Sequence, residues 1–429
     1  MLKVINGQEK EELKKRLLQR ANGDFEKEGK IVKEIVADVA ARGDQALFAY
    51  TKKLDGFAVN ESNIVVSEQE IKQAYTQVDE RILEVVKHAA ENIRAFHQRQ
   101  KRQSFTYEEN GKMLGQLIRP LDKAGVYVPG GKAVYPSSVL MNIIPAQVAG
   151  VKEIFVATPP DKQGNINPLT LCAADIAGAT RIYKMGGAQA VAAFAYGTQS
   201  IPKVDKITGP GNIFVALAKK EVYGQVGIDM IAGPSEILIL ADETATPKRI
   251  AADFLSQAEH DELAACVLVT HSVELAQKVQ EEIAVQIEKL PKREIVCKSL
   301  ENYGTIIITQ SAQESVEIAN EIAPEHLEIC LKNPKDYLMQ IKNAGSIFVG
   351  EYSPEPLGDY FAGPNHILPT NGSARFSSPL SVDDFIKKSS VICYSKEALE
   401  EVYEEIYEFA KMEDLMAHAR AVKIRFEDI

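Results

Sequence analysis

The 429-residue sequence lacks the features of a membrane or secreted protein. It contains no run approaching the ~18 consecutive apolar residues that a membrane-spanning helix requires. Its first residues, MLKVINGQEKEELKKRLLQR, are charged and helical in pattern rather than apolar like a secretory signal. We therefore expect a cytoplasmic protein that is not exported and has no membrane partner.

Clustered basic charge is also missing. The formal net charge is −11, and acidic residues interleave the Lys and Arg side chains even in the stretch Lys10–Arg20. Because phosphate backbones are bound by clustered Lys and Arg, we expect no nucleic-acid partner.

The cysteines form no recognisable motif. The chain has five of them with no paired spacing and no CxxC, which excludes a zinc ribbon and a thioredoxin-type redox motif. Cys266, Cys330 and Cys393 lie in apolar, strand-like runs, where cysteine usually acts as a small buried hydrophobe.

Strand-like and helix-like segments alternate from about Gly125 onward. AGVYVP, EIFVATPP, RIYKMG and VDKITG each precede a helical pattern, and EILILAD, ACVLVT and TIIIT belong to a second such series. Alternation of this kind is the sequence form of βαβ units on a parallel sheet. We predict an α/β fold with two Rossmann-like parallel-sheet domains plus small helical N- and C-terminal extensions.

The expected domain boundaries follow the changes in pattern. They are a helical extension at 1–22, a discontinuous first α/β domain at 23–125 and 236–380, a second α/β domain at 126–235, and a helical arm at 381–429. The arm is acidic and needs a surface to pack on, so we expect it to reach a partner subunit. Asn110-Gly111 predicts a β-hairpin, because both residues tolerate positive φ.

Three glycine-rich loops follow predicted strands, at 128–132, 185–189 and 208–212. Free N–H groups at a helix start favour anions such as nucleotide phosphates. The GxGxxG fingerprint of dinucleotide sites, with an acidic residue about twenty positions later, is absent. Such loops are also ordinary strand-to-helix turns, so nucleotide binding stays open at this point. The polar side chains beside them that could hydrogen-bond a ribose or a nicotinamide amide are Tyr127, Gln189 and Asn212.

Histidine is scarce, and four of the seven histidines lie in or beside segments that also carry carboxylates or amides. Gln257 and His260 are three residues apart and share a face of a predicted helix. Asp359 and His366 share a long Pro/Gly-rich stretch, and His418 lies near the C-terminus. Imidazole with carboxylate is what a neutral-pH metal or acid–base site needs. His260 alone could equally be a histidine that interacts with a helix dipole.

Glu325 and His326 follow Pro324 at a predicted helix-to-strand junction. An adjacent carboxylate and imidazole offer two proton acceptors with separately tunable pKa values. At a loop mouth both side chains can reach one cleft, although an isolated Glu-His dipeptide is not informative.

Eight segments, in order, resemble the histidinol dehydrogenase family. They are GVYVPGGKAVYPSSVLMN, MGGAQA, DKITGPGN, DMIAGPSEILI, FLSQAEHD, IAPEHLE, GDYFAGPNHILPT and ARFSSPLSVDDF. The resemblance runs through most of the chain and is less distinctive in the first hundred residues and the tail. It implies oxidation of L-histidinol to L-histidine through L-histidinaldehyde with two NAD and zinc, in the final steps of histidine biosynthesis.

The resemblance also implies a role for each candidate residue. His326 is the expected general base, and Glu325 is expected to activate the water that adds to the aldehyde. One zinc ion per subunit would be held by Gln257, His260, Asp359 and His418. The expected substrate contacts are these four residues together with Ser235, His326, His366 and Glu413, and the expected NAD contacts are Tyr127, Gln189 and Asn212. A homodimer is implied, in which His418 and Glu413 enter the partner's site.

The chemistry agrees with a water route in the second oxidation. An aldehyde must become a hydrate or a covalent adduct before it yields a hydride, and a cysteine thiolate is the usual adduct former. No cysteine lies within any of these segments. Cys330 is four residues past His326 and lies in an apolar run. Water activation by Glu325 is therefore favoured.

Two alternatives remain from the sequence. The same fold could act on a different amino alcohol or on a sulfonated diol, although Glu413 and His366 favour an imidazole substrate. The chain could also be a zinc-dependent binding protein with an idle catalytic pair. The presence of Glu325, His326 and all four ligand positions counts against that reading.

Overall fold

A computed structural model describes residues 2–20, 25–130 and 134–427. The chain divides into two compact units, the first comprising Met1–Gln100 and Leu121–Phe385 and the second Lys101–Pro120 and Ile386–Ile429. No helix within the described ranges combines the length and the apolar character needed to cross a membrane.

The strands of the described residues, in chain order, are β1 (Lys3–Asn6), β2 (Phe105–Glu109), β3 (Lys112–Pro120), β4 (Lys123–Tyr127), β5 (Glu153–Thr158), β6 (Arg181–Lys184), β7 (Lys206–Thr208), β8 (Gly227–Ile228), β9 (Glu236–Ala241), β10 (Ala265–Thr270), β11 (Thr305–Ile308), β12 (His326–Cys330), β13 (Ser346–Val349) and β14 (Ile386–Tyr394). The α-helices are α1 (Lys10–Gln19), α2 (Glu26–Arg42), α3 (Asp44–Leu54), α4 (Glu68–Gln77), α5 (Glu80–Gln98), α6 (Pro136–Ala149), α7 (Pro168–Ala177), α8 (Gly187–Tyr196), α9 (Ile213–Val222), α10 (Pro247–Ala258), α11 (Val273–Ile287), α12 (Arg293–Tyr303), α13 (Ala312–Ile322), α14 (Pro334–Tyr337), α15 (Glu355–Tyr360), α16 (Lys396–Glu400), α17 (Tyr403–Met412) and α18 (Met416–Lys423).

The large sheet of the first unit has the strand order β1-β11-β10-β9-β12-β13, and every pairing is parallel. Every residue of β9 and β10 is buried, as expected for parallel strands covered on both faces. Helices α10, α11 and α12 share one core with the sheet, and α1 and α13 share the other. The N-terminal extension is thus not purely helical, because Lys3–Asn6 form the edge strand β1.

The five-stranded sheet of the first unit has the order β6-β5-β4-β7-β8, again all parallel. Counted along the chain, both sheets contain the doubly wound order 3-2-1-4-5. The predicted α/β class with two Rossmann-like sheets is therefore confirmed.

Helices α2 to α5 pack on the five-stranded sheet rather than on the large one. Apolar residues of α2, such as Val36 and Val39, share a core with α8 and α9, and those of α5, such as Leu83 and Ile93, share a core with α6. This packing differs from the expected grouping of residues 23–125 with residues 236–380. An amphipathic helix shows in its sequence that it has an apolar face, but not which sheet will cover that face.

The second unit contains the antiparallel sheet β14-β3-β2 followed by α16, α17 and α18. The hairpin predicted at Asn110-Gly111 joins β2 to β3, and both turn residues have positive φ, 49° and 73°. The arm at 381–429 is not helical throughout, contrary to expectation, because residues 386–394 form strand β14.

Candidate active site

The candidate catalytic pair lies at the amino edge of the large sheet. His326 is the first residue of β12, and Glu236 is the first residue of the neighbouring strand β9. In a βαβ unit the helix runs back along the sheet, so the carboxyl end of α10 also lies at this edge. That end carries Gln257, with His260 two residues beyond the helix.

The main chain of Glu236 contacts both members of the pair. Its N–H donates to Glu325 Oε2 at 2.8 Å, and its carbonyl oxygen lies 3.0 Å from His326 Nδ1. A carbonyl can only accept, so Nδ1 of His326 carries a hydrogen and donates it. Nε2 is therefore the ring nitrogen that remains for proton transfer.

His326 is almost fully buried among carboxylates. Its Nε2 has no hydrogen-bond partner among the described residues and lies 3.8 Å from Asp359 Oδ1, beyond hydrogen-bond distance. Burial opposes the charged ring, but the nearby carboxylates of Glu325 and Asp359 outweigh it and raise the pKa of His326 to about 10. The protein's own charges thus favour the imidazolium form.

Glu325 is also buried, with 6% of its surface exposed. Burial raises the pKa of its carboxyl to about 7, against the opposing effects of His326 and the Glu236 N–H. A carboxylate with such a pKa can both accept and release a proton near neutral pH.

Nitrogen and oxygen donors converge beside this pair. One ligand atom each of His260, Glu355 and Asp359 lie within 4.8 Å of one another. Glu355 is 1% exposed and its Oε1 has no hydrogen-bond partner among the described residues. Gln257 is fully buried, and both polar atoms of its side chain are likewise unpartnered. Buried polar atoms without partners are costly, so these residues fit a bound cation.

The donor chemistry narrows the choice of cation. Imidazole nitrogen with carboxylate and amide oxygen suits zinc and other divalent transition metals. Burial raises the pKa of Glu355, and the proximity of His326 and His366 lowers that of Asp359 against the effect of burial. Two neighbouring carboxylates of this kind cannot both be charged at low cost unless a proton or a cation lies between them.

His366 joins this edge of the sheet to α6. Its Nδ1 lies 3.0 Å from the carbonyl oxygen of Asp359 and its Nε2 lies 3.3 Å from Ser138 Oγ. His326, Asp359 and His366 line a cavity of about 300 Å³. Ser235, which precedes β9, is half-buried, and its carbonyl oxygen accepts from Ala265 N–H at 3.0 Å.

Glu413 and His418 belong to the second unit. Glu413 directly follows α17, and His418 lies on α18. Both line a pocket of about 450 Å³ within that unit, whose other walls are mainly apolar.

The predicted coenzyme residues lie at the carboxyl edge of the five-stranded sheet. Tyr127 ends β4, is 4% exposed, and its hydroxyl oxygen accepts from Gly187 N–H at 3.1 Å. Gln189 is fully buried and donates to Asp55 Oδ2 at 3.3 Å, and its Oε1 has no hydrogen-bond partner within the described part of the chain. Asn212 is exposed and caps α9 by accepting from two main-chain N–H groups.

The loop after β7 passes so close to the end of β4 that no side chain fits between them. A side chain at Gly209, where φ is +114°, would lie 2.1 Å from the carbonyl oxygen of Tyr127. Within the loop at 128–132, Gly131 and Lys132 lie outside the described residues.

The sequence did not single out four residues that contribute to these sites: Arg20, Asp55, Glu236 and Glu355. Glu355 was detectable in principle, because it precedes Asp359 by four residues and both lie on α15. The Pro and Gly residues of this stretch favour a loop over a helix, so the helical spacing of the two carboxylates is not evident. Glu236 acts through its main chain, for which no side-chain pattern exists.

Comparison with known proteins identifies the family. The profile described as histidinol dehydrogenase matches residues 18–426. The chain belongs to the histidinol dehydrogenase family. It is 55% identical to the histidinol dehydrogenase of Bacillus subtilis strain 168 over 425 residues, which is 99% of this chain and 98% of that protein. It is 56% identical to that of Bacillus cereus strain ATCC 14579 over 430 residues, covering 100% of both chains.

A solved structure agrees with this assignment. The crystal structure of histidinol dehydrogenase from Elizabethkingia anophelis superposes with a TM-score of 0.93 at 40% identity, covering 99% of this chain and 98% of that one. The predicted family is thus confirmed, and so is the prediction that the protein is a dehydrogenase.

Proposed function

We propose that this member of the histidinol dehydrogenase family oxidises L-histidinol to L-histidine through L-histidinaldehyde, using two NAD, in the final steps of histidine biosynthesis. The observation that supports it most is the orientation of the buried pair. Nδ1 of His326 donates to the Glu236 carbonyl oxygen, and Nε2, beside Asp359, has no hydrogen-bond partner in the part of the chain that the structure describes. An imidazole held in this way suits proton removal from an alcohol as its hydride leaves.

His326 acts as the general base in both oxidations. The cavity of about 300 Å³ that it lines can receive a small substrate against Nε2. The surrounding carboxylates raise the pKa of His326 and keep its ring protonated. A positive charge next to Asp359 would lower that pKa, and the role of general base requires it.

Gln257, His260 and Asp359 hold one zinc ion per subunit, and His418 of the partner subunit completes the ligand set. Glu355 supplies a further carboxylate beside His260 and Asp359. When bound, the ion would chelate the imidazole and amine of histidinol and offset the negative charge of Asp359. The unpartnered atoms of Gln257 and Glu355 support this role.

Glu325 activates the water that converts the aldehyde to its hydrate. Its Oε2 is held by the Glu236 N–H, which leaves Oε1 to accept a proton from water. A pKa of about 7 suits that transfer at neutral pH. Ser235 and His366, with Glu413 of the partner subunit, complete the contacts to the substrate.

NAD binds at the carboxyl edge of the five-stranded sheet through Tyr127, Gln189 and Asn212. In doubly wound sheets ligands bind outside the carboxyl ends of the strands, where the strand order reverses. Here that point lies between β4 and β7, next to Tyr127 and Gly209. The unpartnered Oε1 of Gln189 is available to a nucleotide donor group.

The protein acts as a homodimer in the cytoplasm, with Glu413 and His418 entering the partner's site. Large apolar side chains of the second unit support a partner surface. Phe409 and Met412 on α17 are 63% and 73% exposed. Exposure of neighbouring large apolar groups is typical of a surface that another chain covers.

The test of the activity is the amount of NADH formed per L-histidinol consumed, with saturating NAD and added zinc. Two NADH with histidine as product support the proposal. One NADH with free aldehyde would reject the role of Glu325. Zinc-loaded protein that reduces NAD only with a different amino alcohol or a sulfonated diol would establish the alternative substrate.

Subunit mixing tests the shared site. The variants His326→Ala and His418→Ala are each expected to be inactive, whereas their mixture should recover part of the activity through mixed dimers with one intact site. A mixture of His326→Ala with Glu325→Gln is the matched control, because both changes lie in the first unit. Recovery in the control, or its absence in the test mixture, would contradict sites shared between subunits.

A further inference from the structure

We propose that Arg20 is a positioning residue for the Glu325–His326 pair and acts on it through Glu236. This inference rests on the proposed function for its kinetic consequences. Arg20 follows α1, more than three hundred positions before the pair in sequence. It touches neither member directly in the contacts of the structure, so its influence passes through the start of β9.

The side chain of Arg20 is fully buried. It is 0% exposed, and its Nη2 lies 3.1 Å from Oε1 of Glu236, whose own side chain is 5% exposed. Its Nη1 donates to the carbonyl oxygen of Leu263 at 2.7 Å and, at 3.4 Å, to that of Ser235. One guanidinium therefore contacts the side chain of Glu236, the main chain just before it, and the segment leading into β10.

Glu236 is the link between this guanidinium and the pair. Its side chain also accepts from Asn371 N–H at 2.5 Å, so the carboxylate is held from two directions. Its main-chain N–H and carbonyl oxygen contact Glu325 Oε2 and His326 Nδ1. The same residue is thus held by its side chain and holds the pair by its main chain.

The geometry requires the planar fork of arginine. Nη1 and Nη2 point to different acceptors, and a lysine ammonium at the end of its stem can reach them only in turn. A shift of the Glu236 peptide would move the Oε2 of Glu325 and Nε2 of His326 together, and misplacement by about 1 Å can cost about a hundredfold in rate.

The test uses Arg20→Met with Glu236→Gln in one chain. The double change removes both buried charges and leaves an amide oxygen for the Asn371 N–H, so no unpaired charge remains. We expect kcat for histidinol to fall about tenfold or more, with KM for histidinol and zinc content within about twofold of the original. Arg20→Lys keeps the positive charge without the planar guanidinium. Its kcat should lie between that of the original protein and that of the double variant.

Arg16→Met is the matched control. Arg16 lies on α1, four residues before Arg20, and donates to Thr305 Oγ1 at 2.8 Å, at the start of β11 rather than β9. We expect this variant to lose thermal stability while keeping its kcat. A folded double variant with the original kcat, Arg20→Lys with the original kcat, or an equal loss of kcat in Arg16→Met would each overturn the proposal.

Failure of the proposed function is distinguishable from failure of this inference. If the unaltered protein does not oxidise histidinol, that result rejects the proposed activity. The positioning role of Arg20 is then tested by hydrogen exchange at the main-chain N–H of residue 236. Exchange at this amide should be about tenfold faster in the double variant than in Arg16→Met, because the peptide loses its clamp. Equal exchange in the two variants would overturn the positioning role.

Discussion

The two parallel sheets of the first unit share a strand order, yet the candidate site residues lie at opposite edges of them. In the five-stranded sheet, Tyr127 and the glycine loops lie at the carboxyl ends of the strands. In the large sheet, Glu325, His326 and the donor cluster lie at the amino ends. Strand topology therefore does not determine which edge carries the candidate site residues.

At the carboxyl edge of the large sheet, an acidic side chain occupies the point where the strand order reverses. At the carboxyl ends of β9 and β12, the buried Asp242 accepts from Lys332 N–H at 2.7 Å and from Thr244 N–H at 3.0 Å. This carboxylate ties the two strand ends together at the point where the strand order reverses. The corresponding point of the five-stranded sheet is bordered by Gly209, which has no side chain to close it.

The largest expected effect is that of His326→Ala, which changes only the amino edge of the large sheet. Loss of a positioned general base should lower kcat for both oxidations about 10²–10⁴-fold. Zinc content and NAD affinity should not change, because His326 is not among the proposed ligands of either. Atomic absorption, NAD titration and steady-state rates measure the three quantities. A parallel loss of NAD affinity would mean that the edges are not functionally separate.

Glu325→Gln should divide the two oxidations from each other. The amide oxygen can still accept from the Glu236 N–H, so the local structure is kept, but water activation is lost. We expect the aldehyde-to-acid step to slow about a hundredfold, with a much smaller effect on the alcohol step. Trapping of released aldehyde against NADH formed measures the split, and equal slowing of both steps would reject the assigned role.

Glu355→Gln should act on the metal alone. Removing a carboxylate from the donor cluster is expected to weaken metal affinity about 10–100-fold, as for other groups that support metal ligands. Competition with a chromophoric chelator measures it in the purified protein. Glu351→Gln is the matched control, since Glu351 precedes α15 and pairs with Arg249 at 2.6 Å instead. Unchanged metal affinity in Glu355→Gln would remove Glu355 from the centre.

The smallest effect is expected for Tyr127→Phe at the other edge. The change deletes the hydroxyl that accepts from Gly187 N–H, a bond worth about 0.5–1.5 kcal/mol. NAD affinity, followed by calorimetry, should fall roughly twofold to tenfold, with metal affinity unchanged. Tyr183→Phe removes a hydroxyl from β6 in the same sheet and should leave NAD affinity as it was. A larger effect in Tyr183→Phe would contradict the assigned position of the coenzyme.

The α/β class and both sheets could be predicted because βαβ units leave a local record. The runs EILILAD and ACVLVT are continuous and apolar, as parallel strands covered on both faces must be. The hairpin at Asn110-Gly111 was predictable for the same reason, since turn chemistry is local. Strand β14 was missed because most of its residues are exposed and only its last part, around Cys393, is strand-like in sequence. Cys266 and Cys330 are buried as expected, whereas the expectation for Cys393 was wrong, because it lies on this exposed strand.

The packing of α2 to α5 and the helix α15 show where such reasoning stops. An apolar helix face fits either sheet, so sequence alone does not choose between them. In PEPLGDY the Pro and Gly residues favour a loop, yet the structure forms a short helix that places Glu355 and Asp359 close together. Tertiary contacts override weak local preferences of this kind.

The sequence by itself determined the chemical groups of this protein and the elements that carry them. Motif order pointed to the family, and periodicity indicated the two sheets, because both are properties of neighbouring residues. Only the tertiary structure decided which nitrogen of His326 faces a main-chain carbonyl oxygen and at which edge of each sheet the candidate residues lie. Those features depend on contacts such as that between His326 and Glu236, which lie 90 residues apart. Local pattern cannot encode a hydrogen bond to a main-chain atom so distant in sequence, since every residue type offers the same peptide group.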